Sequence, residues 1–131
     1  MKRNWFAAAM IAILALGGSY VYSATSTPGS EGDPLVTQAY VDQRTTFKAF
    51  NVTAGQKLLG GAGTEIILRA GEASAIDNGA NGISDVTTGK DLMSGQTVGA
   101  NHLILVPRED GRGIYAITDI TVMVKGIYTI Q

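Results

Sequence analysis

The stretch TTGKDLMSG, residues 87–95, sets Gly89-Lys90 in a glycine-rich neighbourhood, where a phosphate-binding loop would place its lysine. That loop requires G-x-x-x-x-G-K-[ST], with backbone amides around the phosphates and a hydroxyl for the metal ion. Here the first glycine is replaced by Ser84, and Asp91 follows the lysine. A carboxylate at that point repels phosphate, so the chemistry of the motif is missing.

The next cluster is DNGANGISD, residues 77–85. Asp77, Asn81 and Asp85, with Ser84, are oxygen donors in a glycine-permitted loop, the donor type that Ca²⁺ takes. The spacing departs from an EF-hand. Gly79 stands where a ligand belongs, Thr88 replaces the bidentate glutamate, and no helix pair flanks the loop. The simpler alternative is a surface loop carrying two Asn-Gly turns. Ca²⁺ is therefore the one candidate cofactor. His102 is the single histidine and the chain has no cysteine, so a zinc site or a thiol nucleophile cannot be assembled. No G-x-S-x-G context accompanies His102, which fits a strand-end residue making a hydrogen bond. Arg108, Asp110 and Arg112 in PREDGRG, residues 107–113, together with Arg69, are candidates for an anionic or sugar ligand. The alternative is a solvated hairpin around Asp110-Gly111, with Arg69 or Arg108 paired to Glu65, Glu72 or Asp110. Nothing here amounts to a catalytic motif, and no enzyme is expected.

These residues need elements to position them. The chain has 131 residues, enough for one domain of ordinary size. Its 17 glycines follow no G-X-Y period and lie among Val, Ile, Thr and Tyr, which suggests short strands joined by tight turns. A formal charge of −1 and the lack of a basic stripe argue against nucleic acid as a partner.

The N-terminus reads as an address. Lys2 and Arg3 precede the uncharged run WFAAAMIAILALGGSYVY, and small polar residues follow. Residues 1–23 are expected to be a cleaved signal peptide or an uncleaved anchor. An 18-residue helix reaches about 27 Å, enough for a thin bilayer. Either way the rest of the chain is exported, free outside the cell or held at the outer face of the cytoplasmic membrane. Membrane contact is expected through this segment only.

A linker, 24–32, leads to a short helix expected within 33–45. It has Asp33 as N-cap and Pro34 in the first helical position. Leu35, Val36, Ala39 and Tyr40 would share one face, which must dock on the domain or on another copy of the chain. Strands are expected at 46–53, 65–69, 72–76, 102–106, 114–117 and 121–130, with a bulge or bend at Gly126. EIILR and HLILV are continuous apolar runs, as in buried strands. VTAGQKLLGG (52–61) aligns with VTTGKDLMSG (86–95). EIIL (65–68) then meets HLIL (102–105), and AID (75–77) loosely echoes AITD (116–119). Such similarity suggests a doubled supersecondary unit.

The segments DPLVTQAYVDQ, GQKLLGGAGTEIILRAG, DVTTGKDL, NHLILVPREDGRG and VMVKGIYTI together resemble a family of small exported proteins in Gram-positive, often spore-forming bacteria. The resemblance covers almost the whole chain after the linker, and it implies export and no catalytic residue. VTQAYVDQ is also similar to short segments of trimeric tail-fibre-type proteins, which implies self-association through the helix. The expected fold is a mainly β domain over 46–131, a small sandwich or barrel-like unit with pseudo-duplicated halves. The expected function is that of a non-catalytic structural or interaction domain of the cell envelope, as a homo-oligomer or with an envelope partner. The alternative is an extracellular module that binds a cation or glycan with loops 77–85 and 107–113.

Overall fold

The structure, a computed structural model, describes residues 29–31 and 33–131. The expected signal or anchor segment and most of the linker lie outside the described residues. The chain divides into a unit ending at Leu35 and a second, Val36–Gln131, which carries every helix and strand described below. Among the described residues, no helix is long and apolar enough to cross a membrane.

The helix starts later than its sequence pattern suggested. It runs Gln38–Thr45 (α1) and is capped by Thr37, whose Oγ1 accepts a hydrogen bond from the Tyr40 amide at 3.2 Å. Asp33 does not cap it. Asp33 closes a local turn instead, with its amide donating to Ser30 O and its carbonyl accepting from Gly29 N. Pro34 to Thr37 have no regular structure. A threonine hydroxyl directly before Gln-Ala-Tyr does the capping that an aspartate before proline was expected to do. Leu35 and Val36 therefore precede the helix, and the four-residue face with Ala39 and Tyr40 does not form. All four are exposed, and α1 buries no residue.

Ten strands follow: β1 (Lys48–Val52), β2 (Lys57–Gly60), β3 (Thr64–Ala70), β4 (Ala73–Ile76), β5 (Ile83–Asp85), β6 (Lys90–Leu92), β7 (Leu103–Val106), β8 (Gly113–Ala116), β9 (Ile120–Lys125) and β10 (Tyr128–Ile130). They build two antiparallel sheets, in the orders β1-β9-β3-β7-β5-β6 and β10-β2-β8-β4. The protein is mainly β, as the glycine and β-branched pattern implied, and its strands do not close into a barrel.

Side-chain alternation explains the core. In β9, Ile120, Val122 and Val124 are buried, while Thr121, Met123 and Lys125 on the other face are partly exposed. Ile66 and Leu68 of β3 and Ile104 and Val106 of β7 face the same way. They join Leu58, Ala75, Ile114 and Ala116 from the other sheet in one apolar cluster. Each such Ile, Leu or Val stabilises the fold by roughly 1.5–3 kcal/mol relative to exposure. The apolar runs EIIL and HLIL suggested strands covered on both faces. Ile67, Leu103 and Leu105 are only half covered, as is common for antiparallel sheets with one face toward water.

Two turns are built alike. In Thr53–Gln56 and again in Met93–Gln96, the glutamine amide donates to the first residue's carbonyl (3.1 and 3.0 Å). Its side-chain Oε1 accepts from the first residue's amide (3.0 and 2.7 Å). Gly55 and Gly95 take positive φ, 87° and 84°, in the third position. Each turn exchanges two backbone hydrogen bonds with an alanine, Ala116 in β8 or Ala75 in β4. A nearby aspartate accepts from the second residue's amide: Asp119 from Ala54 at 2.8 Å, Asp77 from Ser94 at 3.0 Å. The order of the six-stranded sheet is unchanged when β1, β3 and β5 are exchanged with β6, β7 and β9.

The last corner depends on Gly126. There the chain leaves β9 in one sheet and enters β10 in the other. Gly126 has φ 122°, and a Cβ on it would meet Thr64 Oγ1 at 2.7 Å. The buried Thr64 hydroxyl donates to Ile127 O at 2.6 Å, and the Gly61 amide donates to the same oxygen at 2.7 Å. Gly55, by contrast, has open space around its α-carbon. Gly55→Ala is expected to cost about 1–2 kcal/mol from backbone strain alone. Gly126→Ala adds overpacking to strain and is expected to cost about 3 kcal/mol or more. Urea denaturation of the two variants checks the ranking.

Candidate functional site: a polar cleft between two loops

The connections β4–β5 (residues 77–82) and β7–β8 (107–112) are long, and they meet. Between them lies a cleft of about 260 Å³ lined by Asn78, Asn81, Gly82, Ser84, Asp91, Pro107, Arg108, Asp110 and Arg112.

Arg112 builds the junction. Its side chain is only 5 % exposed. Nε and Nη2 donate to Asp110 Oδ1 and Oδ2 at 2.8 and 3.0 Å, a bidentate pair. Nη1 donates to the carbonyl of Gly82 at 2.7 Å. Asn78 Nδ2 donates to Asp110 Oδ2 at 3.0 Å from the opposite loop. Gly82 is required at its position, because a Cβ there would collide with the Leu92 carbonyl. The hydrogen bond from Arg112 holds the Asp110 carboxyl below its ordinary value, against a smaller opposing effect of burial, and Asn78 adds to the lowering.

The cleft floor is the β5–β6 hairpin. Ser84 and Asp91 are register partners, and Ser84 Oγ donates to Asp91 Oδ1 at 2.9 Å. The turn between these strands is the segment that looked like a phosphate loop. Two of its amides are already used: Thr88 N donates to Asp85 Oδ1 and Gly89 N to Asp85 O. Asp91, which spoiled the phosphate motif, faces the cleft.

The candidate ligands of a cation are not drawn together by any shared bond. Asn81 lines the cleft, but Asp77 and Asp85 are not among its walls. The Asp77 carboxylate accepts from the Gly79 and Ser94 amides, chiefly the Ser94 bond depressing its pKa. Asp85 is buried. Burial raises its carboxyl, and hydrogen bonds from His102 and Thr88 outweigh that and lower it. Among the described residues, no three His, Cys, Asp or Glu side chains cluster as a metal site.

Of the candidate ligand-binding residues, Arg108, Asp110 and Arg112 are gathered with Asn81 in the cleft. His102 and Arg69 lie elsewhere. His102 Nδ1 is 2.7 Å from Asp85 Oδ2, and Gly99 leaves room for the ring, since a Cβ there would sit 2.5 Å from Nδ1. This is the strand-end hydrogen bond its position suggested. Arg69 Nη1 lies 3.5 Å from the Met123 sulfur. The salt bridge expected from Arg69 or Arg108 to Asp110 is made by Arg112, and Glu65 pairs with Lys125 at 3.0 Å. Asn78 was not among the candidate site residues. The only sequence signal for Asn78 was its place in an Asn-Gly turn.

Comparison of the chain with protein-family models, with curated proteins and with solved structures found no match in any of the three.

The depressed carboxyls set an acid limit. Each has a folded pKa below its ordinary value of 3.8. The stability they contribute is therefore fully present above the unfolded value and is lost as pH falls through the folded one. The melting temperature should be flat down to about pH 5 and fall below about pH 4. Asp110→Asn should melt lower at neutral pH and show a shallower acid decline. Melting curves across this range check both.

Proposed function

We propose that the chain is a non-catalytic, exported interaction domain of the bacterial cell envelope, and that its cleft holds a neutral, hydroxyl-rich ligand of the glycan class. The observation that carries this reading is the Arg112 junction, which joins loops 77–82 and 107–112 around one polar cleft. The formal charges of the cleft balance, with Asp91 and Asp110 against Arg108 and Arg112. A charged ligand finds no net attraction there, whereas sugar hydroxyls can both donate and accept. Among the described residues, the side chains of Arg108 and Asn81 and the second Asp91 oxygen have no hydrogen-bond partner, so they are available. Export is supported by the leader sequence. Contacts with an envelope partner, or with a second copy of the chain, fall to the exposed Leu35, Val36 and Tyr40.

The pseudo-duplicated halves belong to the same proposal. In such a pair, residues 71–72 between β3 and β4 correspond to 107–112 between β7 and β8, and 117–119 to 77–82. The two connections that exceed their counterparts are the two that form the cleft. Residues added to one copy alone, side by side in space, are where a doubled scaffold gains a specific site.

Titration with soluble envelope glycan fragments is expected to give weak binding, with a Kd of about 1 mM, or about −4 kcal/mol. It should change little with salt, since no net charge is engaged. Arg108→Ala and Asp91→Ala should each weaken it by about fivefold or more, the value of a lost hydrogen bond, with the fold intact. Unchanged affinity in both variants would sink the assignment of the cleft.

A further inference from the structure

The cleft loop holds two Asn-Gly pairs, Asn78-Gly79 and Asn81-Gly82. Asn-Gly is the dipeptide most open to intramolecular imide formation, because glycine leaves the following amide nitrogen unshielded. The two pairs are in opposite states. The Asn78 side chain is held at both ends: Oδ1 accepts from the Ala80 and Asn81 amides at 3.0 and 2.7 Å, and Nδ2 donates to Asp110. Its would-be nucleophile is also engaged, since Gly79 N donates to Asp77 Oδ1 at 2.9 Å. The Asn81 side chain is exposed, and among the described residues neither it nor the Gly82 amide has a hydrogen-bond partner. Both residues line the cleft, Asn81 exposed to water and Gly82 buried against the Leu92 carbonyl.

We propose that Asn81-Gly82 is a self-modification site, and that the neighbouring Asn78-Gly79 is protected by its hydrogen bonds. The Gly82 nitrogen, having lost its proton to hydroxide, attacks Asn81 Cγ. The Cγ–Nδ2 bond breaks and ammonia leaves, giving a five-membered imide. Water then opens the imide at either carbonyl, leaving aspartate or isoaspartate at position 81. The product puts a third carboxylate beside Asp91 and Asp110, so the charge balance of the cleft becomes net negative. The reaction needs only water and base and is independent of what the cleft binds.

The test is to age the purified full chain at mildly alkaline pH and map the products by mass spectrometry, using fragmentation that separates position 78 from 81. In the folded protein, Asn81 should convert at least about tenfold faster than Asn78, since attack at Asn78 first requires an opening that breaks its hydrogen bonds. In urea, the two sites should convert at similar rates, which shows that the difference comes from the fold. Asn81→Gln should abolish the fast phase, because the longer side chain closes the ring poorly. Equal rates at the two sites in the folded chain, or a faster reaction at Asn78, would overturn the proposal.

Discussion

The buried Arg112 guanidinium is the constraint on which the upper part of this molecule depends. A guanidinium out of water is costly unless each of its nitrogens finds an acceptor. Arg112 meets that condition with two carboxylate bonds to Asp110 and one to the Gly82 carbonyl. The acceptors come from different loops, so satisfying one side chain fixes two connections relative to each other. The gap left between them is the cleft. Asn78 completes the tie from the far side, and Gly82 permits it because only hydrogen fits against the Leu92 carbonyl.

Below this junction the scaffold is governed by backbone geometry more than by charge. The two glutamine-closed turns each pin a strand of the four-stranded sheet through an alanine, and each takes an aspartate at its exposed amide. The echo of AID in AITD, which looked slight, marks the residues that do this pinning. The stronger-looking alignment of residues 52–61 with 86–95 does not correspond to like turns. Gly89 bonds back to Asp85 O, while Gly55 bonds across to Ala116 O. The matching pairs are Gly55-Gln56 and Gly95-Gln96, because a side-chain amide returning to its own turn constrains geometry where a leucine match does not.

The mainly β class, the strands around EIILR and HLILV, and the break at Gly126 were legible because they rest on local pattern. The strands β2, β5 and β6 were not, being three or four residues long and containing Lys57, Asp85, Lys90 and Asp91. Such segments become strands because neighbours pair with them. Two plausible caps, Asp33 and Thr37, lie four residues apart, and the Thr37 hydroxyl rather than the Asp33-Pro34 pair starts the helix. In the site, Arg108, Asp110, Arg112 and Asn81 stood out as polar groups in glycine-rich loops. The burial of Arg112 and Asp85 did not, since their partners Gly82 and His102 lie 30 and 17 positions away. Proximity at that range is a property of topology.

The central claim is that one buried arginine makes two loops into one site. Amide hydrogen exchange of Arg112→Met against the unaltered chain tests it most directly. Faster exchange is expected at residues 77–82 and 107–112, with the amides of β3 and β9 still protected. Unchanged exchange in both loops would contradict it, and so would an equal loss of protection across the whole domain.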